Sequence, residues 1–168
     1  MRKITKISNR IIRRFNPCYD PSELGSKESE YLPIVEAVEK YRDKCRDKVD
    51  IIWLLCRKEF MTEKDMRLFA VWCAREALKL LENPDQRSID ACDVAERFAN
   101  GQADSDELAA AWDAAADAAK DAAWYAALAE AWAAARAAAG DAAWAAAGDA
   151  ARAAARDAQI DKLLTYFK

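Results

Sequence analysis

The sequence predicts an all-α protein, a multi-helix bundle with an Ala-rich helical hairpin in its C-terminal half. Three observations point there. Apolar residues recur at spacings of three and four over successive stretches between residues 33 and 100, which lines one face of a helix. The last third of the chain is largely Ala, the strongest helix former. Only four Gly and four Pro stand among 168 residues, so few positions interrupt a helix.

Element by element, the chain opens on "MRKITKISNRIIRRF", a basic arm. Ile4, Ile7, Ile11, Ile12 and Phe15 fit one helical face, with Arg2, Lys3, Lys6, Arg10, Arg13 and Arg14 around the rest. Such a helix can bind nucleic acid, an anionic membrane surface or an acidic protein, or it can dock its apolar face and leave the cations solvated. "FNPCYDP" follows as a turn-rich connector. Residues 1–30 are therefore expected to be arm and connector, and 31–168 a single helical domain. From Pro33 to Phe60 the stripe Ile34, Val38, Tyr41, Cys45, Val49, Ile52 and Cys56 predicts one amphipathic helix, with Pro33 in its first turn. The next helix starts at Thr62, a cap with Asp65 three residues on. It carries Met66, Phe69, Ala70, Cys73, Ala77 and Leu81 inward and stops at Pro84. A third runs from a Ser88 cap to Asn100, with Ile89, Cys92, Ala95 and Phe98 inward and Gly101 as its left-handed stop.

Asp104 or Ser105 caps the Ala-rich segment, 104–158, with Asp106 and Glu107 near the positive end of the helix dipole. From Lys120 a large or special residue falls at every fourth position: Trp124, Leu128, Trp132, Arg136, Gly140, Trp144, Gly148 and onward to Leu164. A four-residue step advances about 400° on a helix, so this row creeps about 40° per repeat and cannot form one fixed seam. Unbroken, residues 104–164 would span about 90 Å, far beyond the radius of gyration of about 15 Å for a compact chain of this size. The segment is therefore expected to fold back, with Gly140–Asp141 and Gly148–Asp149 as corners. Trp112, Trp124, Trp132 and Trp144 are expected to fill the gaps between closely packed Ala faces.

Composition narrows the chemistry. There is no His, which removes Ser-His-Asp, Cys-His and carboxylate-histidine arrangements, and the phosphate-binding glycine motifs are absent. The five Cys contain no C-x-x-C pair, which argues for reduced thiols that mostly fill the core and against a zinc site. Asp113, Asp117 and Asp121 lie at successive i, i+4 positions, yet oxygen-only metal sites converge from several segments. No catalytic, metal or cofactor residue is assigned, and an enzyme is not expected. No apolar run reaches the length of about 20 residues that spans a bilayer, and the basic start lacks the apolar segment of a secretory signal, so the expected location is cytoplasmic. Residues 1–60 carry net +4 and residues 101–168 net −5, a polarity that suits a partner or a merely solvated surface.

The run "MRLFAVWCAREAL", then "RSIDACDVAERFANGQADSDELAAAWDAA", then the Ala/Trp/Arg repeat resembles the immunity proteins of bacterial toxin systems, in particular their Ala- and Trp-rich relatives carried by phages and prophages. The resemblance covers about residues 62–158 and is most specific at "DVAERFANG" with the acidic cap that follows. It implies an all-helical, non-enzymatic protein inside a bacterial host. Many relatives carry His within the repeat and this chain has none, so no binding residue is transferred.

The leading expectation is a phage or prophage accessory protein that binds and blocks another protein, a toxin or a host defence component. A nucleic-acid-associated protein that uses Arg2, Lys3, Lys6, Arg10, Arg13 and Arg14 is the alternative, and a structural protein self-associating through its Ala-rich faces is a third reading. All three require a strongly helical circular dichroism spectrum, and a substantial sheet component would contradict them.

Overall fold

A computed structural model describes residues 3–45, 47–118 and 141–168, with the backbone alone over 141–150, and the protein is all-α. The helices in chain order are α1 (Asn9–Arg13), α2 (Ile34–Tyr41), α3 (Val49–Leu55), α4 (Glu63–Leu78), α5 (Gln86–Ala99), α6 (helical over 105–118) and α7 (Asp141–Leu164). Two-residue strands, β1 (Lys6–Ile7) and β2 (Leu32–Pro33), pair antiparallel with Ile7 opposite Leu32. The chain divides into unit 1, Met1–Met66 with Ala153–Lys168, and unit 2, Arg67–Arg152, a division with no boundary at residue 30.

In unit 1 the basic arm is not one amphipathic helix. The β-branched run around Thr5 favours extended backbone, and Ile34 donates its N–H to the Thr5 carbonyl while Ile4 donates to that of Glu59. Ser8 then stands in extended conformation and its hydroxyl accepts from the Ile11 N–H at 3.4 Å, so the helix starts only at Asn9. Ile7, Ser8, Asn9 and Ile12 are buried. Asn9 stays satisfied there, because its amide donates to the Ser26 carbonyl at 3.1 Å and its own oxygen accepts from the Ser26 hydroxyl at 2.7 Å.

The helix expected over 33–60 is broken in the middle. α2 tightens into a 3-10 turn over Arg42–Lys44, Cys45 is extended, and α3 begins at Val49. Only Cys45 carries the apolar stripe across this charged stretch, and Asp47 competes with the helix by accepting from the Val49 N–H at 2.9 Å. The break rotates the buried face: Ile51, Leu54 and Leu55 point inward, and Val49 from the expected stripe is exposed. Both sides of the break meet α7. Arg42 pairs with Asp157 at 2.9 Å and Asp161 at 2.6 Å, and Lys48 reaches Asp157 at 2.6 Å. Ile160 and Leu163, both 0% exposed, and buried Leu164 join the same core from the adjoining face of the helix.

Unit 2 begins within α4, whose cap is Thr62 as expected, its hydroxyl oxygen accepting from the Asp65 N–H at 3.1 Å. α4 ends at Leu78, short of Pro84. Leu80 and Leu81 donate to carbonyls three residues back, a tightened last turn ahead of the proline, and they stand 85% and 56% exposed. α5 is capped by Asp85 and not by Ser88. The carboxylate accepts from the Arg87 N–H at 2.8 Å, its backbone is already extended after Pro84, and its charge suits the positive helix end. Gly101 closes α5 at φ 73°, the left-handed stop expected there. Asp104 caps α6, accepting from the Asp106 and Glu107 N–H groups at 3.0 and 2.8 Å. Buried Phe69, Val71, Cys92 and Ala118 form the core of this unit among the described residues.

Helix α7 runs unbroken through Gly148–Asp149, so that pair is no corner. A single Gly costs a helix about 1 kcal/mol, which flanking Ala absorbs. The other corner at Gly140, and with it the expected hairpin, lies outside the described residues, as do Trp124, Trp132 and the side chain of Trp144. Trp112 is described and is 74% exposed, so it does not fill a gap between helices as expected; the residues around it on α6 are mostly Ala, too short to cover an indole.

Replacing Leu163 with Ala is expected to cost about 2–5 kcal/mol through cavity formation. Leu80→Ala, at an exposed position, should stay within about 0.5 kcal/mol. Urea unfolding of both variants measures the difference.

Candidate functional site

The six arm residues do not act as one set. Arg2 lies outside the described residues. Lys3 donates from Nζ to the carbonyls of Lys58 and Met61 and so ties the arm to the turn after α3. Arg13 bridges Asp20 at 2.7 Å and Glu28, fastening α1 to the connector. Lys6, Arg10 and Arg14 are exposed and form no ion pair among the described residues. The structure thus separates two fastening cations from three that face solvent.

Unit 2 holds the larger concavity, which the sequence reading missed. A groove of about 910 Å³ lies between α4, α5 and α6. Its floor is Ala, at Ala74, Ala77, Ala91, Ala95 and Ala109, with Leu78, Phe98 and Leu108 between them and Leu81 and Trp112 at the exposed edges. The polar lining is sparse: Arg67, whose guanidinium lies 4.9 Å from the Phe98 ring centroid, Ser88 and Ser105. The signal in the sequence is the small residue at helical spacing on three consecutive helices, each of which looks like an ordinary packing face when read alone.

Ion pairs fix the walls. Arg75 of α4 holds Asp93 and Glu96 of α5 at 2.8 and 2.6 Å, and Arg97 of α5 holds Glu107 of α6. Lys79 and Arg87 pair with Glu76 and Asp85. Glu82, Asp106 and Asp113, which neighbour the lining residues Leu81, Ser105 and Trp112, form no ion pair among the described residues. Unit 2 carries net −7 by sequence and unit 1 net +4. The groove is apolar within, and the unit around it is acidic overall.

Among the described residues no group of three or more Cys, Asp or Glu is placed to hold a metal ion; Asp113 and Asp117 are exposed and Asp121 lies outside them. No helix among them is long and apolar enough to cross a membrane. Cys92 is buried and Cys18 exposed, while burial pushes the half-buried Cys45 thiol up to about 11. No family model matches the chain, and no curated protein or solved structure is significantly similar to it.

The Arg13 contact yields a titration test. The Asp20 carboxyl is lowered to about 2, first by the Ser22 backbone N–H and then by Arg13. A depressed carboxylate adds stability above its ordinary value of 3.8 and loses it as pH falls toward about 2. In Arg13→Gln the Asp20 midpoint should rise but remain below 3.8, because the Ser22 donor is untouched. Carboxyl-resolved NMR titration reads both values.

Proposed function

We propose that the protein is a non-enzymatic phage or prophage accessory protein of the immunity or counter-defence type. It works in the cytoplasm of a bacterial host by binding a toxin or a host defence component and blocking it. The observation that carries the binding reading is the groove of unit 2, an apolar trough with a 74% exposed Trp at its edge. Large exposed apolar patches mark interaction sites, and Trp is enriched among the residues that dominate interface energetics. A small-molecule site would need several convergent polar groups, and this lining supplies three polar side chains spread over three helices.

The occupant is an amphipathic helix of the target with basic residues flanking its apolar face. An Ala floor lets a helix backbone approach closely, as helix-in-groove recognition requires. The net negative charge of unit 2, with Glu82, Asp106 and Asp113 unpaired among the described residues, complements cations and would favour encounter more than raw affinity. The resemblance of residues 62–158 to immunity proteins supplies the class of target.

A synthetic Leu/Lys amphipathic peptide should bind the full chain more tightly than its Leu/Glu counterpart. Trp112→Ala should weaken that binding at least tenfold, about 1.4 kcal/mol, with the melting temperature nearly unchanged. A protein captured from bacterial lysate by the wild type but not by this variant, and inhibited on addition of the purified chain, completes the test. Equal peptide binding by wild type and variant overturns the groove. Capture without inhibition overturns blocking.

A further inference from the structure

Unit 1 carries a second feature, unrelated to the groove. The guanidinium of Arg57, in the turn after α3, lies 4.1 Å from the ring centroid of Trp53 and 5.0 Å from that of Phe15. Phe15 in turn packs 5.6 Å from Phe60. The Nε of Arg57 is buried without an acceptor, and no carboxylate pairs with this side chain among the described residues. Elsewhere in unit 1 the guanidinium groups that fasten elements, Arg13 and Arg42, each hold two carboxylates. Arg57 is held by ring faces instead, and its charge has no carboxylate partner among the described residues.

The surroundings are cationic. Arg14 precedes Phe15 and Lys58 follows Arg57, and both are exposed with no ion pair among the described residues. Arg10 lies one helical turn before Arg14 on the same exposed side of α1. The arm holds this constellation in place, since Lys3 donates to the Lys58 and Met61 carbonyls and Ile4 to that of Glu59. Glu59 is the one acid in the 57–61 turn.

We propose that the Trp53–Arg57–Phe15 stack, with Arg10, Arg14 and Lys58 around it, is a binding site for single-stranded nucleic acid. Half-buried ring faces and a guanidinium plane are what unpaired bases stack on, and unpaired cations beside them take the phosphates. An anionic bilayer fits less well, because the apolar side of the arm, Ile7 and Ile12, is turned into the core and leaves nothing to insert. An acidic protein would use the cations but not the stack.

Fluorescence anisotropy of a labelled oligothymidylate of about twelve nucleotides, titrated with the full chain between about 50 and 200 mM salt, tests the site. Binding should be strongest at low salt. Arg14→Gln with Lys58→Gln should weaken it about tenfold and reduce the log–log salt slope by about 1.4, two phosphates' worth on a single strand. Arg57→Lys keeps the charge and loses the plane, so affinity should fall while the slope holds. Trp53→Phe serves as the second probe of the stack should Arg57→Lys melt early. Three results each overturn the proposal: no binding at low salt, affinity and slope unchanged in the Arg14/Lys58 variant, or equal affinity for a duplex or for polyglutamate of matched charge.

Discussion

The last turns of α7 close unit 1 from the far end of the chain. Ile160, Leu163 and Leu164 fill its core, while on the adjoining face of the same helix Asp157 and Asp161 hold Arg42 and Lys48. Burying each of the three aliphatic side chains is worth about 1.5–3 kcal/mol, whereas partly exposed ion pairs contribute at most about 1 kcal/mol each. The apolar contacts therefore drive the docking, and the charges select the register at which α7 docks. Lys48 first and Arg42 second keep the Asp157 carboxyl below its ordinary range, so this selection weakens in acid, as pH falls through that lowered value. The interruption between α2 and α3 belongs to the same arrangement: a straight helix would separate residues 42 and 48 by about 9 Å along its axis, and the break lets both cations reach one carboxylate.

Much follows from this closure. The arm, α2 and α3 share the core that α7 completes, and Lys3 and Ile4 fasten onto the turn at 57–61 that carries Arg57. The aromatic–guanidinium stack therefore rests on backbone held from two sides. A stacking platform needs that rigidity, since a mobile Arg would lose its entropy again at each binding event.

Charge is divided between the units in a way that matches two different chemistries. In unit 2, Arg75, Lys79, Arg87 and Arg97 are all engaged by carboxylates, which leaves an excess of acids, Glu82, Asp106 and Asp113 among them. In unit 1, cations remain unengaged at one end of α1 and beside the aromatic stack. An acidic apolar trough suits a basic helix, and a basic aromatic face suits a polyanion.

The sequence by itself determined the helical class and the features whose partners lie within one turn: the Thr62 cap, a cap at Asp104 or Ser105 that the structure resolves to Asp104, the Gly101 stop, and the inward Ile34, Val38, Phe69 and Cys92. Each depends on a local hydrogen bond or on helical period, and both are written in neighbouring residues. Only the tertiary structure decided the extension of Lys6–Ile7 against Leu32–Pro33, the break at 42–48, and the exposure of Trp112 over a groove. Those depend on which distant segment arrives opposite. The same Ala stripe that buries a face in one bundle leaves a trough in another, and the same Arg42 continues a helix until a carboxylate more than a hundred residues away draws it aside.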